Sequence, residues 1–74
     1  MSTMRHNEIV KTPNGDARLQ GQWYLPDDDK KGEPSGVLVR HMPRADIDLT
    51  LCQEIRSATG RDGWLVVYRK EDVA

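Results

Sequence analysis

WLVVYR, residues 64–69, is the stretch of sequence that most constrains the fold. Alternate residues of a β-strand point to opposite faces of the sheet. Trp64, Val66 and Tyr68 therefore share one face, and the aliphatic residues between them share the other, so both faces are apolar. A half-exposed edge strand would instead alternate apolar and polar residues. We expect this strand to lie in the interior of a sheet, or to be covered on its second face by another part of the chain.

A second strand is predicted upstream, at residues 17–25, where apolar and polar residues alternate. Ala17, Leu19 and Trp23 fall on one face, which we expect to point into the core. Gly21 lies on the same face and has no side chain, which indicates a bend in the strand.

A hairpin is predicted around the sequence Thr12-Pro13-Asn14-Gly15. A two-residue turn at Asn14-Gly15 would place Pro13, which has no N–H group, where a hydrogen bond should close the hairpin. A three-residue loop from Pro13 to Gly15 avoids this fault and places Ile9 opposite Leu19. We therefore favour the three-residue loop.

One helix is predicted at residues 49–59, with Asp48 as its N-cap. Leu51, Cys52, Ile55 and Ala58 recur at helical spacing and form an apolar stripe. A further strand is predicted at residues 37–42. The element order is then β-β-β-α-β, which predicts an α+β fold: a single domain, residues 1–74, with one helix lying across a mostly antiparallel four-stranded sheet.

The bulk composition describes a small globular domain. A chain of 74 residues forms at most one domain, and its 36% hydrophobic content does not indicate disorder. We expect a flexible N-terminus at residues 1–5 and a mobile charged loop at residues 26–36. The single cysteine excludes a disulfide within the chain, and no apolar run is long enough to span a membrane. These features favour a cytoplasmic location.

One helix can cover only one face of the predicted sheet, so the other face should expose apolar side chains. Exposed apolar surface of that kind is typical of a protein-binding site. We therefore predict a non-enzymatic protein-binding module, for example a regulatory or inhibitory factor of phage or mobile-element type that acts on a larger protein machine. Homodimerisation through the same face is a form of this prediction. The predicted partner-binding residues, which include an acidic run that could imitate phosphate groups, are Tyr24, Asp27, Asp28, Asp29, Trp64, Val66 and Tyr68.

A nucleic-acid-binding domain is the alternative hypothesis. Basic residues lie at the ends of the last two predicted strands, with aromatic residues nearby, as in many nucleic-acid-binding surfaces. The net charge of −1 weighs against a large polyanion as the ligand. The predicted basic patch consists of Arg40, Arg44, Arg61, Arg69 and Lys70.

Residues with catalytic or metal-binding chemistry are few. Cys52 lies on the predicted apolar stripe, where a thiol is inert, and His41 is expected at the rim of the sheet without a role. Two histidines and a core cysteine do not supply the usual four ligands of zinc. Because no phosphate-binding loop or catalytic triad pattern is present, we expect no enzymatic activity, no metal and no cofactor.

Overall fold

The strand that is apolar on both faces is hydrogen-bonded along both of its edges. This computed structural model describes residues 6–30, 32–57 and 61–74. They form one antiparallel sheet with the strand order β1-β2-β3-β5-β4. Its strands are β1 (Ile9–Thr12), β2 (Gly15–Trp23), β3 (Gly36–Arg40), β4 (Glu54–Ser57) and β5 (Leu65–Arg69). The expectation that the last strand is interior is confirmed, because β5 lies between β3 and β4.

The predicted α+β fold, with one helix and four strands, is wrong. Asp48 does act as an N-cap, with its side chain accepting from the Thr50 N–H, but the helix it begins is a single 3-10 turn at Leu49–Leu51. The chain then enters β4, and residues 58–60 lie outside the described residues. Pairing with β4 satisfies the N–H and C=O groups on the second edge of β5, which a helix would leave without partners. No helix in the described ranges is long and apolar enough to cross a membrane.

The inner face of the sheet forms the core without help from a helix. Val39, Val66 and Tyr68 are completely buried at its centre. The loop before β4 and the start of β5 cover this face through Ile47, Leu49, Cys52 and Trp64. The remaining buried members of the cluster are Val10, Ala17, Leu19, Val37 and Val73.

The hairpin between β1 and β2 has a different register from the predicted one. Thr12 pairs with Gly15 and Val10 with Ala17, so the loop contains only Pro13 and Asn14. Because Val10 and Ala17 are both buried, burial of their side chains decides the register. Ile9, predicted opposite Leu19, is opposite Arg18 and 57% exposed. Outside this hairpin, the free edge of β1 receives the C-terminus, where Lys11 and Ala74 exchange two backbone hydrogen bonds of 2.9 Å.

A bulge in β2 moves Trp23 away from the face on which it was predicted. Leu19 pairs with Val39 but Gly21 pairs with Leu38, so one extra residue lies between them and the alternation of faces changes there. Trp23, opposite Gly36, therefore shares the outer face with Leu38. The predicted irregularity near Gly21 is confirmed, while the core position of Trp23 is wrong.

The outer face has its own small apolar cluster. Val67 lies there, completely buried, beside Trp23. The Trp23 Nε1–H donates to Glu54 Oε2 at 3.0 Å, and the Arg56 guanidinium lies 4.7 Å from the centre of the Trp23 ring. The two apolar faces of β5 are thus covered by different parts of the chain.

Asp28 closes the base of the charged loop at residues 26–36. Its carboxylate accepts from the Leu25 N–H at 2.6 Å, the Ser35 N–H at 2.8 Å and the Ser35 hydroxyl at 2.6 Å. A 3-10 helix at Pro26–Lys30 forms the first half of this loop. Residue 31 and residues 1–5, including the N-terminus predicted to be flexible, lie outside the described residues.

Gly36 is predicted to be intolerant of any side chain. A Cβ atom at this position would lie 2.7 Å from the Trp23 carbonyl oxygen and 2.9 Å from Val67 Cγ1. Gly36→Ala should therefore lower the free energy of unfolding by about 1–3 kcal/mol, the usual cost of overpacking. Urea denaturation measures this, with Gln22→Ala at an exposed position of β2 as the control. Equal stability of Gly36→Ala and the parent protein would contradict the packing described for the outer face.

Candidate functional site

An open groove of about 510 Å³ lies at the end of the sheet where β2 begins and β3 ends. Its volume is within the range of small-ligand and peptide sites. β1, β2, the end of β3 and the turns that follow β3 and precede β5 all contribute to its walls. The lining residues are Ile9, Asp16, Ala17, Arg18, Arg40, His41, Met42, Pro43 and Asp62.

Two arginines lie side by side in the wall of this groove. Arg18 of β2 and Arg40 of β3 are direct cross-strand partners on the outer face. Arg18 Nη1 donates to the Asn7 carbonyl at 3.2 Å, and Arg40 Nη1 donates to the Asp62 carbonyl at 3.0 Å. Ion pairs in the described part of the chain involve Arg56 and Arg69 instead. Because like charges directly opposite each other destabilise a sheet, this arrangement is unfavourable for folding alone.

Exposed apolar side chains lie beside the two arginines. Ile9 is 57% exposed and Met42 is 75% exposed, although both are large and apolar. Met42 begins a turn in which the Ala45 N–H donates to the Met42 carbonyl at 3.1 Å and Arg44 has a φ of 61°. A non-glycine residue with positive φ is strained and is often found at functional sites. The groove thus combines two cations, two carboxylates, exposed apolar surface and a constrained turn.

A buried histidine forms the inner wall of the groove. His41 is 2% exposed, and its Nδ1 lies 3.2 Å from the Asp16 carbonyl oxygen. A carbonyl can only accept, so Nδ1 carries the proton and Nε2 is the acceptor. The Tyr68 hydroxyl then donates to Nε2 at 2.8 Å and in turn accepts from Asn14 Nδ2 at 2.8 Å. The two rings also meet edge to face, with centroids 5.9 Å apart.

Asn14 connects this network to the loop that covers the core. Its amide nitrogen donates to the Asp48 carbonyl at 3.0 Å, and its amide oxygen accepts from the Asp48 N–H at 2.7 Å. The tip of the hairpin is therefore joined to the loop before β4, and Tyr68 and His41 continue the same chain of hydrogen bonds to the groove wall. A hydrogen-bond network whose polar groups all have partners is rigid, and this network forms the wall of the groove.

Burial changes the acid–base properties of three side chains near the core. It lowers the pKa of His41, against a smaller opposing effect of the hydrogen bond to the Asp16 carbonyl, so the neutral imidazole is favoured. Burial likewise raises the pKa of the Tyr68 hydroxyl and that of the Cys52 thiol. The Cys52 thiol donates to the Leu49 carbonyl at 2.9 Å. These groups are accordingly neutral near pH 7.

The residues predicted to bind a partner do not form one surface. Val66 and Tyr68 are completely buried and Asp28 is 1% exposed, so a partner cannot contact their side chains in this fold. Trp64 is half-buried and donates from Nε1 to the Ala45 carbonyl at 2.7 Å. Two of the predicted partner-binding residues, Tyr24 and Asp27, are exposed. They follow the end of β2 that is remote from the groove. Asp29 lies within the 3-10 helix at Pro26–Lys30.

The predicted basic patch divides between two ends of the sheet. Arg40 pairs with Leu65 at one end of the β3–β5 ladder, while Gly36 pairs with Arg69 at the other. These ends are four residue steps apart along the strand, a distance of about 13 Å. Arg44 and Arg61 lie in the turns at the Arg40 end, and Lys70 begins the 3-10 helix that follows Arg69. Sequence reasoning missed Arg18, Ile9 and Met42, because their proximity depends on the register between strands.

Within the described ranges, no group of three or more His, Cys, Asp or Glu residues converges on a point where a metal ion could bind. Comparisons of the chain with protein-family models, with curated proteins and with solved structures found no match.

The Tyr68 hydroxyl is predicted to be the critical member of the buried network. Tyr68→Phe removes the donor to His41 Nε2 and leaves a buried acceptor without its partner. The free energy of unfolding should fall by about 1–3 kcal/mol. Tyr24→Phe is the matched control, because Tyr24 is 59% exposed and its hydroxyl is open to water. Equal, small effects of the two substitutions in chemical denaturation would refute the proposed network.

Stability is predicted to depend on the protonation of His41. Since burial places its folded-state pKa below its unfolded-state value, the unfolded chain binds the proton more readily. The contribution of the neutral imidazole is complete above the unfolded pKa of about 6.5 and is lost as the pH falls through the lower folded value. Unfolding free energies measured between about pH 7 and 5 should decrease, and His41→Gln should flatten this part of the profile. A parent protein whose stability is constant over this range would contradict the burial of a neutral His41.

Proposed function

We propose that this protein is a non-enzymatic protein-binding module whose groove takes an extended segment of a partner protein. The segment would bring a carboxylate to Arg18 and Arg40 and an apolar side chain to Ile9 and Met42. The observation that carries the proposal is the cross-strand pair of arginines, neither of which forms an ion pair with a described residue, beside strongly exposed apolar side chains.

The chemistry of the groove suits an anionic ligand with apolar neighbours. Guanidinium groups bind carboxylates with two parallel hydrogen bonds, and bound carboxylates would relieve the repulsion between Arg18 and Arg40. Arginine and methionine are both enriched at protein interfaces, and the flexible Met42 can adapt to different side chains. Asp16 and Asp62 also line the groove and would accept hydrogen bonds from N–H groups of the bound segment.

The state of the buried polar groups supports a binding role over catalysis. Both ring nitrogens of His41 are engaged inside the protein, and its low exposure keeps it from a substrate. The thiol of Cys52 has a raised pKa and is hydrogen-bonded to the chain. Neither group is placed to act as a base or nucleophile toward a ligand in the groove.

Nucleic acid is the second candidate ligand, since Arg18 adds a cation to the end of the sheet that holds Arg40. A polyanion would also meet the carboxylates of Asp16 and Asp62 in the same groove. Arg69 and Lys70, at the other end of β5, do not extend this surface. Charge of both signs in one groove supports a peptide more strongly than a phosphate backbone.

We also propose a wider role for the domain. A small domain with a rigid peptide groove suits a regulatory or inhibitory factor, of the type found in phages and mobile elements, that acts on a larger protein machine. The single cysteine and the lack of any disulfide partner support a cytoplasmic location.

Selection from a display library of random peptides tests the peptide proposal. Bound peptides should be enriched in Asp or Glu next to an aliphatic residue, and a synthetic copy of a selected peptide should bind in fluorescence anisotropy. Arg18→Ser and Arg40→Ser should each weaken binding about tenfold or more, because each removes one charged partner of the carboxylate. Arg69→Ser, at the other end of the sheet, is the control and should leave binding unchanged.

Each serine variant removes a like-charge repulsion but also one hydrogen bond to a backbone carbonyl, so its fold is verified by circular dichroism and thermal denaturation before binding is compared. The proposal would be refuted if no peptide is selected, or if the selected peptides bind the Arg18→Ser and Arg40→Ser variants as tightly as they bind the parent protein. A mobility shift of short DNA or RNA that weakens steeply with salt and is lost in the same variants would establish the nucleic-acid alternative instead.

A further inference from the structure

The outer edge of β4 differs from the outer edge of β1. The C-terminal Ala74 hydrogen-bonds to Lys11 on β1 and so covers that edge. In the part of the chain that the structure describes, no strand pairs with the second edge of β4, which ends the sheet. An open strand edge presents N–H and C=O groups that can pair with another strand.

The sequence of β4 is complementary to itself. Its first three residues are Glu54, Ile55 and Arg56, an acid and a base on either side of an aliphatic residue. We propose that β4 pairs antiparallel with β4 of a second copy of this chain, about a two-fold axis that passes through Ile55. Glu54 of each copy then lies opposite Arg56 of the other, so the dimer contains two cross-strand pairs of opposite charge.

Charge selects this register over its neighbours. The nearest alternative registers keep the inner faces of the two sheets on the same side. In these registers the two-fold axis passes through Glu54 or through Arg56 instead of Ile55. The first would place Glu54 opposite its own copy, and the second would place Arg56 opposite its own copy. Like charges directly opposite are destabilising, so the register centred on Ile55 is the favoured one.

Apolar side chains at this edge support the same arrangement. Ile55 of β4 is 43% exposed, and Leu51, in the 3-10 turn before this strand, is exposed to the same extent. The proposed axis brings the two Ile55 side chains together, with their Cβ atoms about 4.5–5.5 Å apart. Their contact would remove part of this apolar surface from water.

The charged side chains are already held in place in the single chain. Arg56 Nη1 donates to Glu54 Oε1 at 2.9 Å, while Glu54 Oε2 accepts from Trp23 Nε1. Arg56 also lies over the Trp23 ring. Association would join the two ion pairs into a cluster of four alternating charges, and little side-chain entropy would be lost because the side chains are ordered beforehand.

The proposed ladder is short. β4 has four residues, and Arg56 is the extra residue of a bulge between Ile55 and Ser57 that twists the second half of the strand. Contacts with Glu54 and Trp23 nevertheless keep the Arg56 side chain on the outer face. We therefore expect a reversible dimer whose population depends on protein concentration. Sedimentation velocity over a wide range of concentration should show the mass rise from that of one chain to that of two. A constant mass of one chain up to millimolar concentration would overturn the proposal.

Substitutions in β4 distinguish the proposed interface from other modes of association. Ile55→Lys places two cations against each other and should abolish dimerisation, whereas Ile55→Val should retain it. Arg56→Glu should weaken the dimer by about tenfold or more, since both cross-strand pairs become like-charged. The double variant Glu54→Arg/Arg56→Glu restores opposite charges and should restore association. A folded double variant, verified by circular dichroism, that stays as weak as the single one would overturn the proposed register.

Cross-linking tests the axis directly. In a Cys52→Ser background, Ile55→Cys should form a covalent dimer rapidly under mild oxidation, because the two-fold axis brings the two sulfurs together. Ile9→Cys in the same background is the matched control, an exposed aliphatic position on the opposite edge strand. Equal rates of cross-linking at the two positions would overturn the proposal.

Discussion

The need to enclose β5 on all sides governs the arrangement of the rest of the chain. A strand that is apolar on both faces must have strands along both edges and side chains over both faces, because its backbone groups and its side chains are otherwise costly to bury. β3 and β4 pair with its edges. The loop before β4 covers the inner face, and Trp23, redirected by the bulge in β2, lies on the outer face. No α-helix is needed in the described part of the chain.

The groove lies where the covering of the outer face ends. Trp23 and its neighbours cover the outer face near β5, but the part of that face formed by β1, β2 and the end of β3 carries Ile9, Arg18 and Arg40 instead. Two like charges on cross-strand partners, beside exposed aliphatic groups, lower the stability of a sheet. Local violations of that kind are expected where a surface has a function. Behind them, the hydrogen bonds of His41, Tyr68 and Asn14 give the groove a rigid wall.

The two proposed surfaces lie at opposite ends of the strand order. The groove belongs to β1, β2 and the end of β3, whereas the self-complementary edge belongs to β4. A dimer through β4 would therefore leave both grooves open at the far ends of a continuous sheet. Two grooves on one rigid body would raise the avidity for a partner that carries repeated segments, or that is itself a dimer.

Local residue chemistry was enough to predict that β5 is either interior or covered on its second face, that a hairpin lies near Pro13, that β2 is irregular at Gly21 and that Asp48 caps a turn. Each of these predictions depends on local chemistry. β5 has two apolar faces, Pro13 has a fixed φ, Gly21 has no side chain, and the Asp48 carboxylate can accept from a nearby N–H group. Tertiary structure decided the rest. Leu51, Cys52 and Ile55 fit helical spacing, but pairing with β5 satisfies backbone groups that a helix would leave open. Arg18 meets Arg40 only through the register of β2 on β3, which burial of Leu19 and Val39 sets, and no local pattern records that contact.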